Sequence, residues 1–223
     1  MRKAVYTVSI NNWFPELCAL TLPLIKKWSE KIGADFHIIS EAKFPNFPPN
    51  YEKFQIAELG QQCDWNIFID ADVIVDPVKM PDFTENSDPT FVYYESALRP
   101  SQYYKKHPYF ERYGVDLGVS DCFLITSQFT HDIWQPLNPL SELKKYCFEE
   151  NERLVSEFNL NLNIARYGLK LASKMSTDKY HFHLQTTDDY NREYAGGPKT
   201  LTREEHVERA KAKMNEMGIE QIP

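Results

Sequence analysis

A chain of 223 residues, 42% hydrophobic and 26% charged, carries enough apolar side chains for the core of one soluble domain. A formal net charge of −7 excludes a general phosphate-backbone binder, which needs a basic face, so no nucleic-acid partner is expected. No apolar run of about 18 residues occurs, so no membrane span is expected. Cys18, Cys63, Cys122 and Cys147 stand far apart without metal-type pairing, as reduced thiols of a cytoplasmic protein do.

Residues 3–10 form a β-branched run broken by Asn11 and Asn12, which reads as a first strand and not as a leader peptide. Over 15–32, Leu17, Leu20, Leu24, Ile25, Trp28 and Ile32 recur at helical spacing. That pattern predicts an amphipathic helix stopped by Gly33 and kinked at Pro23. Phe36-His37-Ile38-Ile39 is a second strand, so the chain opens as β-α-β, the start of a parallel open sheet. The rigid loop Phe44-Pro45-Asn46-Phe47-Pro48-Pro49 leads into a helix predicted over 52–61. Trp65-Asn66-Ile67-Phe68-Ile69 is then a strand that meets Asp70-Ala71-Asp72 and Val73-Ile74-Val75 directly.

Residues 90–94 and 119–126 are two further strands, separated by a polar, tyrosine-rich stretch over 97–113 that reads as a long loop with some helix. An amphipathic helix is predicted over 150–167, with Leu154, Phe158, Leu162 and Ala165 on one face and Gly168 as its stop. Residues 179–184 make a short strand. Thr202 and Glu205 form a capping-box pattern that opens a final helix through about Met214. No internal repeat or low-complexity tract divides the chain.

In an open α/β sheet, ligands bind beyond the carboxyl ends of the strands. Asp70 and Asp72, two positions apart at such an end, can both reach one hard cation, directly or through water. Oxygen ligands select Mg²⁺ or Mn²⁺ over softer metals. A cation there can bridge the phosphates of a nucleotide diphosphate and neutralise charge on that leaving group. The competing reading is an ordinary strand-end turn. Val73-Ile74-Val75, which precede Asp76-Pro77, argue instead for a chain that continues without turning.

Tyr51-Glu52-Lys53-Phe54, the helix ending near Gln61-Gln62-Cys63, and Asp64 through Asp72 together resemble the donor-site region of GT-A glycosyltransferases. The resemblance is strongest to glycogenin-like family 8 relatives and extends to the glycosyltransferase module with which large algal viruses decorate their capsids. It covers the chain from about residue 3 to about 184. It implies a single α/β domain over 1–223, Rossmann-like, with three α/β/α layers and a mixed, mostly parallel sheet. Its parts would be a nucleotide-binding half over about 1–76, an acceptor half over about 77–200 and a C-terminal helix over about 203–216. The implied activity is transfer of a sugar from a UDP-linked nucleotide sugar to a hydroxyl of a glycan or glycoprotein acceptor, with Mn²⁺ or Mg²⁺ as cofactor. By the same resemblance Thr7, Val8 and Ser9 line the nucleoside pocket, Tyr51 and Lys53 contact the donor, and Asp70, Ala71 and Asp72 hold the diphosphate and its metal.

Enzymes of this kind take a third metal ligand from a late histidine. Tyr180-His181-Phe182-His183-Leu184 offers two that share one face of a strand, so either can meet the metal, His183 being preferred. The small residue and lysine that follow this histidine in relatives are replaced here by Leu184-Gln185. Ser120-Asp121-Cys122 stands where relatives carry Asn-Ser-Gly, and Asp121 is expected to face the cleft with Phe123 and Ile125. Glu149-Glu150-Asn151-Glu152 aligns with the family's acidic pair at the start of the last core helix. At about 100° per residue, Asn151 falls at the centre of the apolar face and Glu150 at its edge. Asn151 thus replaces an aspartate, and Asp121, Glu150 and Asn151 are the candidate catalytic residues.

Two rivals compete with this reading. A haloacid-dehalogenase-type phosphatase also places two aspartates after an apolar strand and could use Asp188-Asp189. In that class, however, the motif lies on the first core strand and is followed two positions later by Thr or Val, where this chain has Ile74. A non-catalytic nucleotide-sugar binding protein would accommodate the loss of a carboxylate at Asn151.

Overall fold

The computed structural model describes residues 1–95, 97–98, 118–137, 155–173, 180–184 and 201–220. Strand β1 (Lys3–Val8) is buried almost throughout because it lies inside a sheet. Helix α1 (Pro15–Lys31) crosses over to β2 (Ala34–Ile39), which pairs with β1 in parallel from Lys3↔Ala34 to Val8↔Ile39. Pro15 sits in the first turn, where its missing N–H leaves no bond unmade, and α1 continues through Pro23 as one helix.

The single helix expected over 52–61 is instead a 3₁₀ stretch, Pro49–Gln55, joined to the one-turn α2 (Ile56–Leu59). Pro49 cannot donate, and Tyr51 packs against Phe44, Phe47 and Phe54, which draws the first turns tighter than an α-helix. Strand β3 (Trp65–Ile69) then pairs with β1 in parallel. Strand β4 (Val73–Val75) does not continue β3. Val73 N–H bonds back to the Asp70 carbonyl at 3.1 Å, closing a turn at Ala71-Asp72. The expectation of an unturned chain is therefore corrected: the apolar run marks a second short strand, not a continuation of the first.

Strands β5 (Phe91–Tyr94), β6 (Ala97–Leu98), β7 (Gly118–Val119) and β8 (Phe123–Ser127) follow, with a 3₁₀ turn at His131–Trp134. Helix α3 (Val155–Tyr167) leads into β9 (Lys170–Ser173), a four-residue edge strand that its mixed, half-exposed side chains did not announce. Strand β10 (His181–His183) and helix α4 (Arg203–Met217) complete the described elements. The Thr202–Glu205 capping box forms as expected, and α4 ends at Gly218 in the left-handed region.

The main sheet runs β2-β1-β3-β8-β5-β9, with β8 antiparallel to both neighbours and the other pairings parallel. Alternate residues feed two cores on opposite faces. Val5, Ile67, Ile69, Phe123 and Ile125 join Leu17, Leu24 and Trp28 of α1 and Ala210 and Met214 of α4. Tyr6, Phe68 and Leu124 join Tyr51, Phe54, Phe158 and Leu162 on the other side. The result is the expected three-layer α/β/α arrangement. β4 and β10 stand apart as a two-stranded antiparallel ribbon, and β6 and β7 form another.

Helix α3 departs from simple amphipathicity, since every residue from Val155 to Ala165 is buried. Its polar positions are consumed by loop backbone. Asn161 brackets Val119, accepting from its N–H at 2.7 Å and donating to its carbonyl at 3.0 Å. That approach requires glycine next door, because a Cβ on Gly118 would lie 2.0 Å from Asn161 Oδ1.

Candidate metal centre

Parallel β1 and β3 end at the same edge of the sheet, where β5 also ends and antiparallel β8 begins. The registers Ile69↔Phe123 and Tyr94↔Leu124 therefore bring Asp70, Asp121, Cys122 and Glu95 to one place. Asp70 N–H donates to the Cys122 carbonyl at 2.8 Å, tying the acidic motif to the neighbouring strand. The Ala71 carbonyl accepts from Thr21 Oγ1 of α1 at 2.6 Å. The turn then swings Asp72 off the sheet and toward the β4–β10 ribbon.

There, His183 Nε2 lies 3.2 Å from Asp72 Oδ1, and Leu184 N–H donates to the Asp72 carbonyl at 3.1 Å. Asp70, Asp72 and His183 each present one ligand atom, and the three atoms all lie within 4.8 Å of one another. Two carboxylate oxygens and an imidazole are a donor set that could hold a divalent cation. Burial would pull the His183 imidazolium down, but Asp72 outweighs it and holds the group well above the usual histidine range. His181 has a different setting. It is fully buried, edge-on to Phe123 at 5.0 Å, with Nε2 3.4 Å from Glu95 Oε1. The metal-type cluster contains His183 and not His181.

Behind Asp70 lies a second charged group. The Lys53 ammonium is completely buried, 2.6 Å from Asp121 Oδ2 and 3.6 Å from Asp70 Oδ1, and sits 4.3 Å over the Phe68 ring. It also donates to the Asp121 carbonyl at 3.2 Å, while Ser156 Oγ donates to Asp121 Oδ2. Burial alone would lower the Lys53 pKa, but Asp121 and Asp70 together raise it. Asp70, with 24% of its side chain exposed, is pushed up to about 7 by burial, an effect that Lys53 opposes and Asp121 and Asp72 reinforce. Glu157 of α3 faces the same cluster, raised well above the usual carboxylate range by burial and by Asp121. Glu95 is raised by burial but held below its ordinary value overall by His181 and by the Cys122 thiol, which donates to Glu95 Oε2 at 2.9 Å.

Other expected site residues are placed as follows. Thr7 is fully buried at the end of β1, and its hydroxyl finds no partner among the described residues. Val8 is half-buried beside it, and Ser9 N–H is spent on the Ile39 carbonyl at 3.0 Å. Tyr51 is not free to stack on a ligand. Its ring is fully buried among Phe44, Phe47 and Phe54, and its hydroxyl donates to Asn159 Oδ1 at 2.8 Å. Glu150, Asn151 and the Asp188-Asp189 pair lie outside the described residues.

No protein-family model and no curated protein matches the chain. Among solved structures, a glycosyltransferase involved in the glycosylation of the major capsid of PBCV-1 aligns with a TM-score of 0.56 at 12% identity, over 95% of this chain and 100% of that one. The chain has that enzyme's GT-A fold. The galactosyltransferase LgtC, solved with donor and acceptor sugar analogs, aligns over 76% of this chain and 73% of its own, with a TM-score of 0.45 and 13% identity. The catalytic domain of Drosophila β1,4-galactosyltransferase 7, solved with xylobiose, aligns over 93% of this chain and 80% of its own, with a TM-score of 0.47 and 16% identity.

Sequence reasoning missed Glu157 and Glu95. The signal for Glu157 was present in Val155-Ser156-Glu157-Phe158-Asn159-Leu160-Asn161-Leu162-Asn163-Ile164, where apolar and polar residues largely alternate. That pattern gives a helix no single apolar stripe, and it fits a helix buried on all sides that must find partners for most of its polar groups. Nothing local marks Glu95. Its neighbours Cys122 and His181 are distant in sequence.

Proposed function

We propose that this chain is a metal-dependent glycosyltransferase that moves a sugar from a UDP-linked donor to a hydroxyl of a glycan or glycoprotein acceptor. The observation that carries the reading is the convergence of Asp70 and Asp72, from the turn after β3, with His183 of the distant β10, at the carboxyl end of β3. Those three residues would hold Mn²⁺ or Mg²⁺, and a divalent cation supplies positive charge to a diphosphate leaving group.

The chain's own residues prepare that place. Lys53 and Asp121 brace Asp70 from behind, so Lys53 acts on the donor through the carboxylate it positions. The loop after β1 supports a nucleoside pocket. Thr7 carries a buried hydroxyl with no partner among the described residues, and Asn11, Asn12 and Phe14 hold left-handed backbone, the kind of local strain that gathers at binding sites. Residues 1–76 would then bind the nucleotide and 77–200 the acceptor, with Glu150 and Asn151 on the acceptor side.

Titration of the purified protein with UDP and UDP-sugars, with Mn²⁺ and again with chelator, tests the reading. Binding is expected only with the metal, and indifference to chelator overturns it. Release of UDP from a bound UDP-sugar, to water or to an added acceptor, separates an enzyme from a non-catalytic binder. Glu150→Gln is expected to bind donor normally and transfer poorly.

A further inference from the structure

We infer that helix α4 is a positioning clamp that sets the metal-binding geometry of His183 through β10 and, at its other end, fixes the loop that follows β1. The inference rests on the metal centre proposed above. Its physical starting point is that a two-stranded ribbon of three-residue strands is too small to be stable alone. Among the described residues β10 pairs with β4 alone, through His181↔Val75, Phe182↔Ile74 and His183↔Val73. Something outside the ribbon must therefore fix the imidazole.

The strand's alternation shows what does. His181 and His183 turn inward, toward Glu95 and Asp72. Phe182, between them, turns to α4. There the Arg209 guanidinium lies 5.7 Å and the Lys213 ammonium 4.7 Å from its ring centroid. Arg209 Nη1 also donates to the Leu184 carbonyl at 3.2 Å, while the N–H of the same residue donates to the Asp72 carbonyl. One residue, Leu184, thus connects α4 to the backbone of a metal-ligand candidate. The amino-terminal half of α4 grips the opposite side of the site. Arg203 lies 5.2 Å over the Phe14 ring, and His206 meets the same ring edge-on at 6.1 Å. Phe14 has φ 44 and is the strained residue that ends the loop after β1. α4 therefore spans the two flanks of the site.

The test uses the full chain and Mn²⁺ alone, followed by the loss of the free-ion electron paramagnetic resonance signal, with thermal midpoints recorded in parallel. Arg209→Ala is expected to weaken Mn²⁺ binding about tenfold, as loss of a group that orients a metal ligand does. Arg209→Lys, which keeps a cation and a donor, is expected to restore most of the affinity. Thr202→Ala serves as the control, because Thr202 Oγ1 caps the first turn of α4 at the Glu205 N–H, 3.2 Å, and its loss loosens the helix while leaving Arg209 and its bond to the Leu184 carbonyl in place. Unchanged Mn²⁺ affinity in Arg209→Ala overturns the clamp, and so does an equal loss in Thr202→Ala, which would reduce α4 to general stabilisation. A wild-type protein that binds no Mn²⁺ removes the metal centre itself, and the clamp with it.

Discussion

The six-stranded sheet and the β4–β10 ribbon place candidate ligands side by side, yet they hold them in different ways. Asp70 leaves a central strand that is paired on both sides, and a fully buried lysine braces it from behind. Asp72 adjoins, and His183 belongs to, a ribbon with one pairing among the described residues, and they depend on each other and on contacts that α1 and α4 make with their neighbours Ala71 and Leu184. The sheet side is fixed by many cooperative backbone bonds, so its vulnerable point is uncompensated buried charge. The ribbon side has few backbone bonds, and its vulnerable points are individual side chains.

The comparison breaks most decisively at the two aspartates. If both regions serve one ion, Asp70→Ala and Asp72→Ala should each abolish Mn²⁺-dependent UDP binding in calorimetry, a loss of several kcal/mol. Wild-type binding by either variant would mean that the two regions do not share a metal. The next effect belongs to the sheet side. Lys53→Met leaves Asp121 and Asp70 buried without their cation and should destabilise the fold by about 3–5 kcal/mol in urea unfolding. A loss below about 1 kcal/mol, the range of an exposed ion pair, would show that solvent reaches the cluster.

On the ribbon side, the two histidines should separate. His183→Ala should weaken Mn²⁺ binding by about 2–3 kcal/mol, the scale of one charged contact. His181→Ala should leave metal affinity near wild type while lowering the thermal midpoint, because it opens a hole beside Phe123 and Glu95. Equal metal loss in both would mean that the ribbon responds as a unit.

The smallest effect lies away from the site, where Asp82 accepts from Lys3 at the start of β1 and from Thr84 N–H at 2.9 Å. Burial pushes the Asp82 carboxyl up, but Lys3 and Thr84 outweigh it and hold it below the ordinary value. Its stabilisation is therefore complete above the ordinary carboxylate pKa of about 4 and is lost as pH falls through the lower folded value. Asp82→Asn should cost about 1–3 kcal/mol at pH 7. The gap between its urea midpoint and that of the wild type should close as the pH drops below about 4. A gap that stays constant with pH would assign the loss to packing and not to charge.

Much of the architecture was legible because it follows from local chemistry. The three-and-four spacing of α1, the apolar run of β3 and the capping box of α4 each specify an element without reference to the rest of the chain. The position of the acidic pair was legible too, since an apolar strand running directly into two carboxylates places them at the strand's carboxyl end, where open sheets bind ligands. The turn inside that pair was hidden, because Val73-Ile74-Val75 is as good a separate strand as a continuation. β9 was hidden because edge strands of mixed composition carry little period-two signal.

By itself the sequence determined the α/β fold, the strand-end position of Asp70 and Asp72, and the pairing of a late histidine with them as an expectation. Only the tertiary structure brought His183, and not His181, within reach of both aspartates. It also buried Tyr51 among aromatic rings, set Lys53 beneath Asp70 against Asp121, and brought Glu157 and Glu95 in from distant segments. The reason is physical. Periodicity and capping are interactions between residues a few positions apart, whereas the environment of a buried charge is set by whichever strands and helices pack around it.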